Sequence, residues 1–405
     1  MKILFVTTGL PFGGIERALI DNVGVLLGLG HKVDLLLREK RGEFLSQLPA
    51  QVRVYELPLS TLDRYEVDHG RVSTLKHALK TGRWCFAFRM LMKRFAWDLT
   101  GRRKNYDFEV VRTAVGRTPR IPLERYDIAI AYSADFPWSA IMTLDYVNAE
   151  RKISWCHNER CSYQQDRQLF RDYYSRFDAR YACSQATADR INRAQDRPGL
   201  VSGFPHLIDA AAIRAKGEDP VDDVRFTAPF KILTVGRVGE QKGSDVAVRV
   251  ARGLKERGFK GKWFWIGNGN DRIESDFRRQ IDEAGVGDVL VFLGAKQNPY
   301  PYIKACDLYV QPSRYEGYCL TVAEARVFNR PIVASDFDGA REQLQDGALG
   351  VIVEGLYSAL WIDELMRIIS DKPLRISFSE KLSHESPGTY DLVRRSWVGL
   401  LDGSM

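Results

Sequence analysis

Two glutamates stand eight positions apart, at Glu316 and Glu324, in the stretch RYEGYCLTVAEARVFNRPIVAS. The run before them, DLYVQPS, is typical of a buried strand, and TVAEARVF predicts a helix. The first-turn N–H groups of that helix, around Cys319 to Thr321, can bind a phosphate. Glu324 can accept two hydrogen bonds from a ribose diol, and Glu316 can reach the hydroxyls of a second sugar ring. The pattern predicts a nucleotide-sugar site; the alternative is a helix-capping glutamate beside a solvated one.

Two further loops follow apolar runs and carry residues suited to the same ligand. In VGRVGEQKGSD, Arg237 and Lys242 lie beside the expected start of a helix, after Gly236. A guanidinium and an ammonium beside a helix N-terminus can hold a diphosphate, although exposed loop cations are common. In WIGNGN, the turn at Gly267 and Asn268 can pass close under a base or phosphate. A plain strand-to-helix turn explains that second loop equally well.

A third glycine loop, TGLPFGG, follows the first apolar run of the chain and includes Gly13 and Gly14. It lacks the G-x-G-x-x-G spacing of a dinucleotide-binding turn. Paired glycines at a helix start still let backbone N–H groups approach an anion or a sugar. A tight turn with no ligand is the alternative.

The elements that must position these loops repeat in two series. Residues 2–37 predict strand, helix and strand, which is a β-α-β unit of a parallel sheet. The same alternation restarts near residue 230, after the polar stretch 209–228. We therefore expect an α/β protein with two doubly wound, Rossmann-like domains facing a cleft, with ligands at the carboxyl ends of the strands. The expected divisions are 1–205, 206–384 and a helix within 385–405 that packs back on the N-terminal domain.

Residues 71–104 differ from both series because they hold ten Lys or Arg and one acid. An apolar stripe recurs at helical spacing at Trp84, Phe88, Leu91, Phe95 and Leu99. A basic amphipathic helix of this kind can dock on an anionic membrane face. Packing of the stripe on its own domain, with solvated charges, is an equally ordinary explanation.

Composition narrows the class of protein. The chain has 405 residues, a hydrophobic fraction of 45% and a net charge of +7, which favours an anionic partner. No apolar run reaches the length of a membrane span, and six sparse cysteines suggest reduced thiols in a cytoplasmic protein. Cys156, His157 and Cys161 lack a second Cys/His pair at zinc-finger spacing, so we expect no metal there.

Taken together, the motifs resemble a known family. EGYCLTVAE is similar to the E-x7-E motif of glycosyltransferase family 4, a family of retaining GT-B glycosyltransferases. GRVGEQKG resembles the Arg/Lys diphosphate loop of that family, and FGGIER resembles its N-terminal glycine loop. The resemblance covers nearly the whole chain in order. It implies a GT-B fold, a nucleotide-sugar donor on the C-terminal domain, an acceptor on the N-terminal domain, and retention at the anomeric carbon without a bound metal or other cofactor.

The resemblance also implies roles for individual residues. Arg237 and Lys242 neutralise the leaving diphosphate, Glu324 holds the ribose, Glu316 contacts the donor sugar, and His157 lies beside the reacting sugar. The family often has Gly at the position of Cys319. The implied catalytic set is His157, Glu316, Arg237 and Lys242; the donor-binding set is Gly236, Arg237, Lys242, Gly267, Asn268, Gly317, Tyr318, Cys319, Leu320, Thr321 and Glu324; the acceptor or phosphate loop is Gly13 and Gly14.

The resulting hypothesis is a cytoplasmic hexosyltransferase that acts on a glycan acceptor in the biosynthesis of a capsule, exopolysaccharide or lipopolysaccharide, and we expect that acceptor to be lipid-linked. Residues 71–104 would then hold it at the inner leaflet. Alternatives are a transferase to a small soluble acceptor, a sugar-nucleotide epimerase, or a non-catalytic protein that binds nucleic acid or membrane; no base-stacking platform supports nucleic acid. Asp336-x-Asp338 resembles the metal-binding pair of the other large glycosyltransferase fold, but we expect a turn without metal.

Overall fold

The computed structural model describes residues 1–11, 13–59, 79–80, 84, 88, 92, 106–134, 137–157, 167–385 and 390–404. The chain forms two compact units. The first comprises Met1–Ala182 with Ile191–Ser202, and the second comprises Cys183–Arg190 with Gly203–Met405. The eight residues Cys183–Arg190 therefore belong to the second unit, the next twelve, Ile191–Ser202, belong to the first unit, and all later residues belong to the second.

The first unit is built on a seven-stranded sheet in the order β3-β2-β1-β4-β5-β6-β7. Three of its strands, Lys2–Thr7, Lys32–Leu37 and Tyr126–Ala131, are mainly apolar and buried along nearly their whole length, as parallel strands covered on both faces must be. The strands are β1 Lys2–Thr7, β2 Lys32–Leu37, β3 Arg53–Glu56, β4 Tyr126–Ala131, β5 Ala149–Cys156, β6 Ala179–Ala182 and β7 Ser202–Gly203.

Helices connect these strands, as parallel pairing requires. They are α1 Gly14–Gly28, α2 Tyr106–Arg117, α3 Pro137–Ile141, α4 Arg167–Asp172 and α5 Gln185–Gln195, whose first six residues belong to the second unit. Short 3₁₀ turns at Glu43–Gln47 and Tyr174–Arg176 and a π-helical turn at Met142–Tyr146 complete the described part of this unit.

The second unit is built on a six-stranded sheet in the order β10-β9-β8-β11-β12-β13. The strands are β8 Lys231–Val235, β9 Lys262–Ile266, β10 Leu290–Gly294, β11 Leu308–Gln311, β12 Ile332–Ser335 and β13 Val351–Val353. The helices are α6 Ala210–Lys216, α7 Ser244–Glu256, α8 Asp271–Glu283, α9 Tyr300–Ala305, α10 Leu320–Val327, α11 Asp338–Gln343, α12 Ser358–Ser370, α13 Lys372–Ser383 and α14 Tyr390–Asp402, with a 3₁₀ turn at Gln345–Gly347.

Both sheets share one topology, in which the first strand of the unit lies in the middle and the order reverses beside it. The reversal falls between β1 and β4 in the first sheet and between β8 and β11 in the second. β8 pairs in parallel with both β9 and β11, so the loops after these three strands emerge at one sheet edge. The expectation of two doubly wound α/β domains is confirmed.

The C-terminal segment forms the expected helix, α14, and buries Val393, Trp397 and Leu400. The Trp397 ring lies 5.1 Å from that of Phe204, at the start of the second unit. Its packing on the N-terminal domain stays a prediction. In the described part of the chain, no helix is both long enough and apolar enough to cross a bilayer.

Candidate functional site

The predicted donor residues lie at the point where the strand order of the second sheet reverses. Lys242 is on the loop after β8, and Glu316 is on the loop after the neighbouring strand β11. In open α/β sheets, ligands bind outside the carboxyl ends of the strands at such a reversal. The topology thus brings together two loops whose sequences are more than 70 residues apart.

Lys242 and Glu316 form an ion pair in which Nζ lies 2.5 Å from Oε1. The exposed fractions of the two side chains are 15% and 11%, so the pair is largely withdrawn from water. The Ser313 hydroxyl donates to the same Glu316 oxygen at 2.9 Å. Burial lowers the pKa of Lys242, but the Glu316 carboxylate raises it, and the combined result is a pKa above the ordinary value. The lysine is therefore a fixed cation.

A buried glutamine connects the strand, the loop and the helix around this pair. Gln311, the last residue of β11, donates from Nε2 to the Ser313 hydroxyl at 2.9 Å. Its Oε1 accepts from the Thr321 hydroxyl at 3.2 Å and from the Tyr309 hydroxyl at 3.1 Å. Since Thr321 lies in the first turn of α10, one side chain fixes the loop carrying Glu316 relative to the start of that helix.

The loop after β8 is shaped by close backbone approaches. Gly243 has φ +74, and a Cβ there would lie 2.0 Å from the Pro312 carbonyl oxygen, so a side chain cannot be accommodated without a shift. A Cβ on Gly267 would lie 1.9 Å from the Gly236 carbonyl oxygen. These glycines let the loops after β8, β9 and β11 pack directly on one another.

Arg237 and Asn268 lie at the outer side of these loops. Both side chains are exposed, and the Asn268 carbonyl oxygen accepts a hydrogen bond from the Val238 N–H at 2.8 Å. Within the described residues, Arg237 has no ion pair, whereas Lys242 is held by Glu316. The two predicted diphosphate ligands therefore differ: one is an exposed cation and the other is already neutralised.

Cys319 is the residue that precedes α10, and it has the left-handed backbone conformation, with φ +70 and ψ +81. Such a conformation is usual for Gly and uncommon for other residues. The thiol is buried, its Sγ lies 3.4 Å from the Thr321 hydroxyl, and burial raises its pKa to about 11. It is thus an uncharged group at the helix start.

Glu324 lies one turn into α10 and is half-buried. Its Oε1 accepts a hydrogen bond from the Tyr300 hydroxyl at 3.2 Å, so a residue after β10 orients it. Leu320, the first residue of α10, is also half-buried. The ring of Tyr318 lies 4.8 Å from the ring of His206.

The other sequence-predicted residues lie in the first unit. His157 directly follows β5; it is buried, and its ring lies 4.5 Å from Tyr132 and 6.3 Å from Trp155. Gly13 precedes α1, which begins at Gly14, and a Cβ on Gly13 would lie 2.3 Å from a Glu16 carboxylate oxygen. The Glu16 carboxylate thus lies beside Gly13, where the sequence predicted that backbone N–H groups would approach an anion or a sugar. The roles of His157, Gly13 and Gly14 stay predictions.

The Asp336-x-Asp338 pair has other partners. Asp336 accepts two hydrogen bonds from Arg341, at 2.6 and 2.8 Å. Asp338 accepts two from Arg190, at 2.7 and 2.5 Å. Each carboxylate is therefore neutralised by a guanidinium. Cys161 lies outside the described residues. The four cysteines that the structure describes, Cys156, Cys183, Cys306 and Cys319, are all buried.

Sequence reasoning found Lys242, Glu316, Thr321, Cys319 and Glu324, and the structure brings all five to one sheet edge. It missed the residues that hold them in place. Gln311 and Ser313 stand at the end of β11 as the polar members of the run LYVQPS, which is the signal that could have identified them. Tyr300 carries no comparable signal.

The second unit contains a segment that is similar to known glycosyl transferases. Residues 216–384 match the family model described as glycosyl transferases group 1. The lipopolysaccharide core biosynthesis mannosyltransferase LpsB of Rhizobium meliloti is 30% identical over 169 residues, which is 40% of this chain and 46% of that protein. The chain spans about half the length of the curated relatives it matches.

The likeness to solved structures extends over the whole chain. The Anabaena HepE structure in complex with UDP-glucose has a TM-score of 0.70 and 16% identity, and the match covers 100% of both chains. The chain has the GT-B fold. The WaaG glycosyltransferase structure gives a TM-score of 0.61 at 14% identity, over 99% of this chain and 100% of that one. At these identities the structural match shows the GT-B fold alone. The Lys242–Glu316 pair lies within the segment that matches the glycosyl transferases group 1 model.

Proposed function

We propose that this protein is a retaining glycosyltransferase of family 4 that moves a hexose from a nucleotide diphosphate sugar to a glycan acceptor. The observation that carries the proposal is the Lys242–Glu316 pair at the strand-order reversal, next to the start of α10. It lies within the segment that matches group 1 glycosyl transferases. The similarity to a mannosyltransferase and the fold shared with a UDP-glucose complex support the same substrate class.

The reaction breaks the bond between the anomeric carbon and the diphosphate oxygen, and negative charge develops on the leaving group. Lys242, the N–H groups at the start of α10 and Arg237 would stabilise that charge. The acceptor oxygen forms the new glycosidic bond on the same face of the sugar. Its proton passes to the leaving diphosphate oxygen, so the products are the glycoside and the protonated nucleoside diphosphate. No resident metal or cofactor enters this scheme.

The two glutamates take different parts of the donor in this proposal. Glu324 would accept hydrogen bonds from the ribose diol, since Tyr300 already orients its carboxylate. Glu316 would exchange its contact with Lys242 for sugar hydroxyls when the diphosphate arrives. His157 would lie beside the reacting sugar. A pair of carboxylates acting as acid and nucleophile, as in hydrolases, is not part of the proposal, because Glu316 is held by a lysine.

A lipid-linked acceptor in surface polysaccharide biosynthesis is the finer part of the proposal. A Campylobacter jejuni transferase that is 26% identical over 176 residues, 43% of this chain and 47% of that protein, is named for a diphospho-undecaprenol acceptor. Segment 71–104 supports a membrane location, because three helical residues in it, Trp84, Phe88 and Met92, are 67%, 64% and 51% exposed. Leu91, Phe95 and Leu99 lie outside the described residues.

Exposed apolar residues at positions i, i+4 and i+8 share one helix face, and the segment holds ten cations. This combination suits an anionic bilayer surface. Co-sedimentation with vesicles that contain phosphatidylglycerol should exceed that with phosphatidylcholine alone, and should fall in W84A/F88A/M92A. Tyr357 and Leu360, also exposed, provide the control Y357A/L360A, which should bind like the unchanged protein. Equal binding by the two variants would contradict a membrane role for this face.

The test of the activity is a transfer assay in EDTA with UDP- and GDP-linked hexoses and a polyprenyl-diphosphate-linked disaccharide. We expect nucleoside diphosphate release coupled to a glycoside with the donor's anomeric configuration, read by proton NMR. K242M should reduce this turnover. An inverted product would contradict retention, and a metal requirement would contradict metal independence.

The same assay separates the alternatives. Transfer to a soluble sugar but not to the lipid would indicate a small acceptor. Conversion of the donor sugar to its epimer, without transfer, would indicate an epimerase. Absence of donor turnover together with steeply salt-dependent nucleic-acid binding would indicate a non-catalytic protein.

A further inference from the structure

Two buried hydroxyls lie next to one backbone carbonyl of residues 316–319, in the loop between β11 and α10. We call residues 316–319 the motif loop. The Gly317 carbonyl oxygen lies 2.8 Å from the Ser184 hydroxyl and 3.2 Å from the Thr187 hydroxyl, each of which can donate to it, and the two hydroxyls lie 2.8 Å from each other. Ser184 is itself held, because its oxygen accepts the Thr187 N–H at 3.1 Å. Ser184 is 2% exposed and Thr187 is fully buried. We call Ser184 and Thr187 the hydroxyl pair.

Holding that carbonyl determines the direction of the neighbouring N–H. In a planar trans peptide, the C=O of Gly317 and the N–H of Tyr318 point in opposite directions. The hydroxyl pair therefore turns the Tyr318 N–H away from itself. Gly317 also directly follows Glu316, so the same contact restrains the backbone that carries the carboxylate.

The next two carbonyls of the loop are held in the same manner. Gln343 donates from Nε2 to the carbonyl oxygen of Tyr318 and, at 3.2 Å, to that of Cys319. A Cβ on Gly339 would lie 2.3 Å from the Tyr318 carbonyl oxygen, so the loop backbone rests directly on α11. In the part of the chain that the structure describes, the N–H groups of Tyr318 and Cys319 have no acceptor. They are available to a ligand.

The hydroxyl pair comes from an unexpected part of the chain. Cys183–Arg190 follows β6 of the first sheet but belongs to the second unit. Arg190 binds Asp338 with two hydrogen bonds, and the Ala186 N–H donates to Glu342 at 3.2 Å. These contacts anchor the segment beside the motif loop. It lies outside residues 216–384, the part that matches the glycosyl transferase model.

We propose that Ser184 and Thr187 are positioning residues for the donor sugar: through the Gly317 carbonyl they set the geometry of Glu316 and of the Tyr318 and Cys319 N–H groups. This rests on the proposed function, because the donor is a nucleotide diphosphate sugar. In the proposed function, the side-chain cations that would hold the diphosphate are Lys242 and Arg237, which lie on the loop after β8 and do not contact the hydroxyl pair. Loss of the hydroxyl pair should therefore affect recognition of the sugar and its transfer, and leave the nucleotide site intact.

The test compares S184A, T187V and S184A/T187V with the unchanged protein. We expect the double variant to lower kcat by about 10- to 100-fold, the range for a small misplacement of reacting groups. Its Kd for the nucleoside diphosphate alone should change less than about twofold, since Lys242 and Arg237 are untouched. S184T and T187S keep a hydroxyl and should retain most of the activity.

T143V is the matched control, because the buried Thr143 hydroxyl donates to the Ser139 carbonyl at 2.7 Å in the first unit. It loses the same kind of hydrogen bond and should keep kcat. Unchanged kcat in the double variant would overturn the proposal. Equal losses of nucleoside diphosphate and nucleotide-sugar affinity would also overturn it, because they would indicate a general structural defect.

Hydrogen exchange separates this proposal from the proposed function. In the ligand-free protein, the amides of residues 316–321 should exchange faster in S184A/T187V than in T143V. If the unchanged protein turns over no nucleotide sugar but this difference is present, the proposed function fails while the restraint on the loop stands. If the exchange is the same in both variants, the positioning role fails whatever the activity.

Discussion

Replacing Glu316 by glutamine should change stability and nucleotide affinity in opposite directions. In the ligand-free protein, Glu316 Oε1 lies 2.5 Å from Lys242 Nζ, and the two side chains are 11% and 15% exposed. An incoming diphosphate must compete with that carboxylate for the lysine. Glutamine keeps the shape of the side chain and removes the charge, so it removes both the stabilising partner and the competitor.

The stability cost follows from the burial of the pair. Removing one partner of a fully buried ion pair costs about 3–5 kcal/mol. Because both side chains retain some exposure, water can partly solvate the remaining ammonium, and we expect E316Q to lose about 2–3 kcal/mol of unfolding free energy. The Ser313 hydroxyl still has an oxygen to bind, so no further polar group is left without a partner.

The pH dependence has a definite sign. The pKa of folded Lys242 is raised above its ordinary value of 10.5. The stabilisation by the pair is therefore fully present below that pH, and is lost only as the pH rises through the raised folded pKa. The difference in stability between the unchanged protein and E316Q should be constant between about pH 6 and pH 9.

Nucleotide binding should show the opposite effect. With its lysine released, E316Q should bind the nucleoside diphosphate about 5- to 30-fold more tightly, which corresponds to about 1–2 kcal/mol. Turnover of the nucleotide sugar should nevertheless fall, because Glu316 no longer accepts hydrogen bonds from the sugar as a carboxylate. K242M should weaken binding of the nucleoside diphosphate.

Urea unfolding and isothermal titration with UDP and GDP measure these quantities. E256Q is the matched control, because Glu256 pairs with Arg252 on α7 with both side chains 66% exposed; it should change stability by less than about 1 kcal/mol. In the K242M/E316Q protein the two stability losses should be less than additive. Weaker nucleoside diphosphate binding by E316Q, similar to that of K242M, would refute the competition.

Three further predictions concern single side chains. Burial lowers the pKa of His206 to about 4. Because this histidine is protonated more readily in the unfolded chain, the unfolding free energy should fall by about 2 kcal/mol between pH 7 and pH 5. Urea unfolding of H206Q should lack this fall, whereas H384Q, changed at an exposed site, should keep it. C319V should lower Tm more than C306V, because Cys319 has a left-handed backbone with φ +70, which valine rarely adopts, whereas Cys306 has φ −80. C319G should lower Tm least. Equal effects of the two valine substitutions would contradict this account of backbone strain. E324A should weaken donor binding by about 1–3 kcal/mol in titration calorimetry, and unchanged affinity would contradict the ribose assignment.

The fold was predictable where apolar runs are long enough to be buried on both faces. β8, β9 and β11 appear in the sequence as KILTV, KWFWI and LYVQ, and their expected positions are confirmed within a few residues. β3, with the sequence RVYE, was not predicted, because it has a charged residue at each end and only two apolar residues between them. The polar stretch 209–228, which has few strand signals, contains the helix α6, which Asp209 caps by accepting the Ala212 N–H; no helix was predicted there.

The position of the predicted site residues at one sheet edge could be expected from the sequence, but the contacts among them could not, and their roles stay predictions. Lys242 and Glu316 were singled out because each lies on a loop that follows a strand. They were predicted to contact different parts of the ligand, the diphosphate and the sugar. Their pairing depends on the three-dimensional path of two loops, which no local pattern encodes. The Ser184–Gly317 hydrogen bond joins residues 133 positions apart, so it was beyond sequence reasoning. The left-handed backbone of Cys319 had a signal, because the family that the motifs resemble often has Gly at this position.

The most direct test of the central claim is a thermal-shift measurement against nucleoside diphosphates and their sugars, in EDTA and again with Mg²⁺, on the unchanged protein and K242M. A ligand at 100 times its Kd should stabilise the protein by about 2.7 kcal/mol. We predict a shift with one nucleotide family that needs no metal and is reduced in K242M. No shift with any nucleotide, or a shift of the same size in K242M, would contradict a donor site at the Lys242–Glu316 pair.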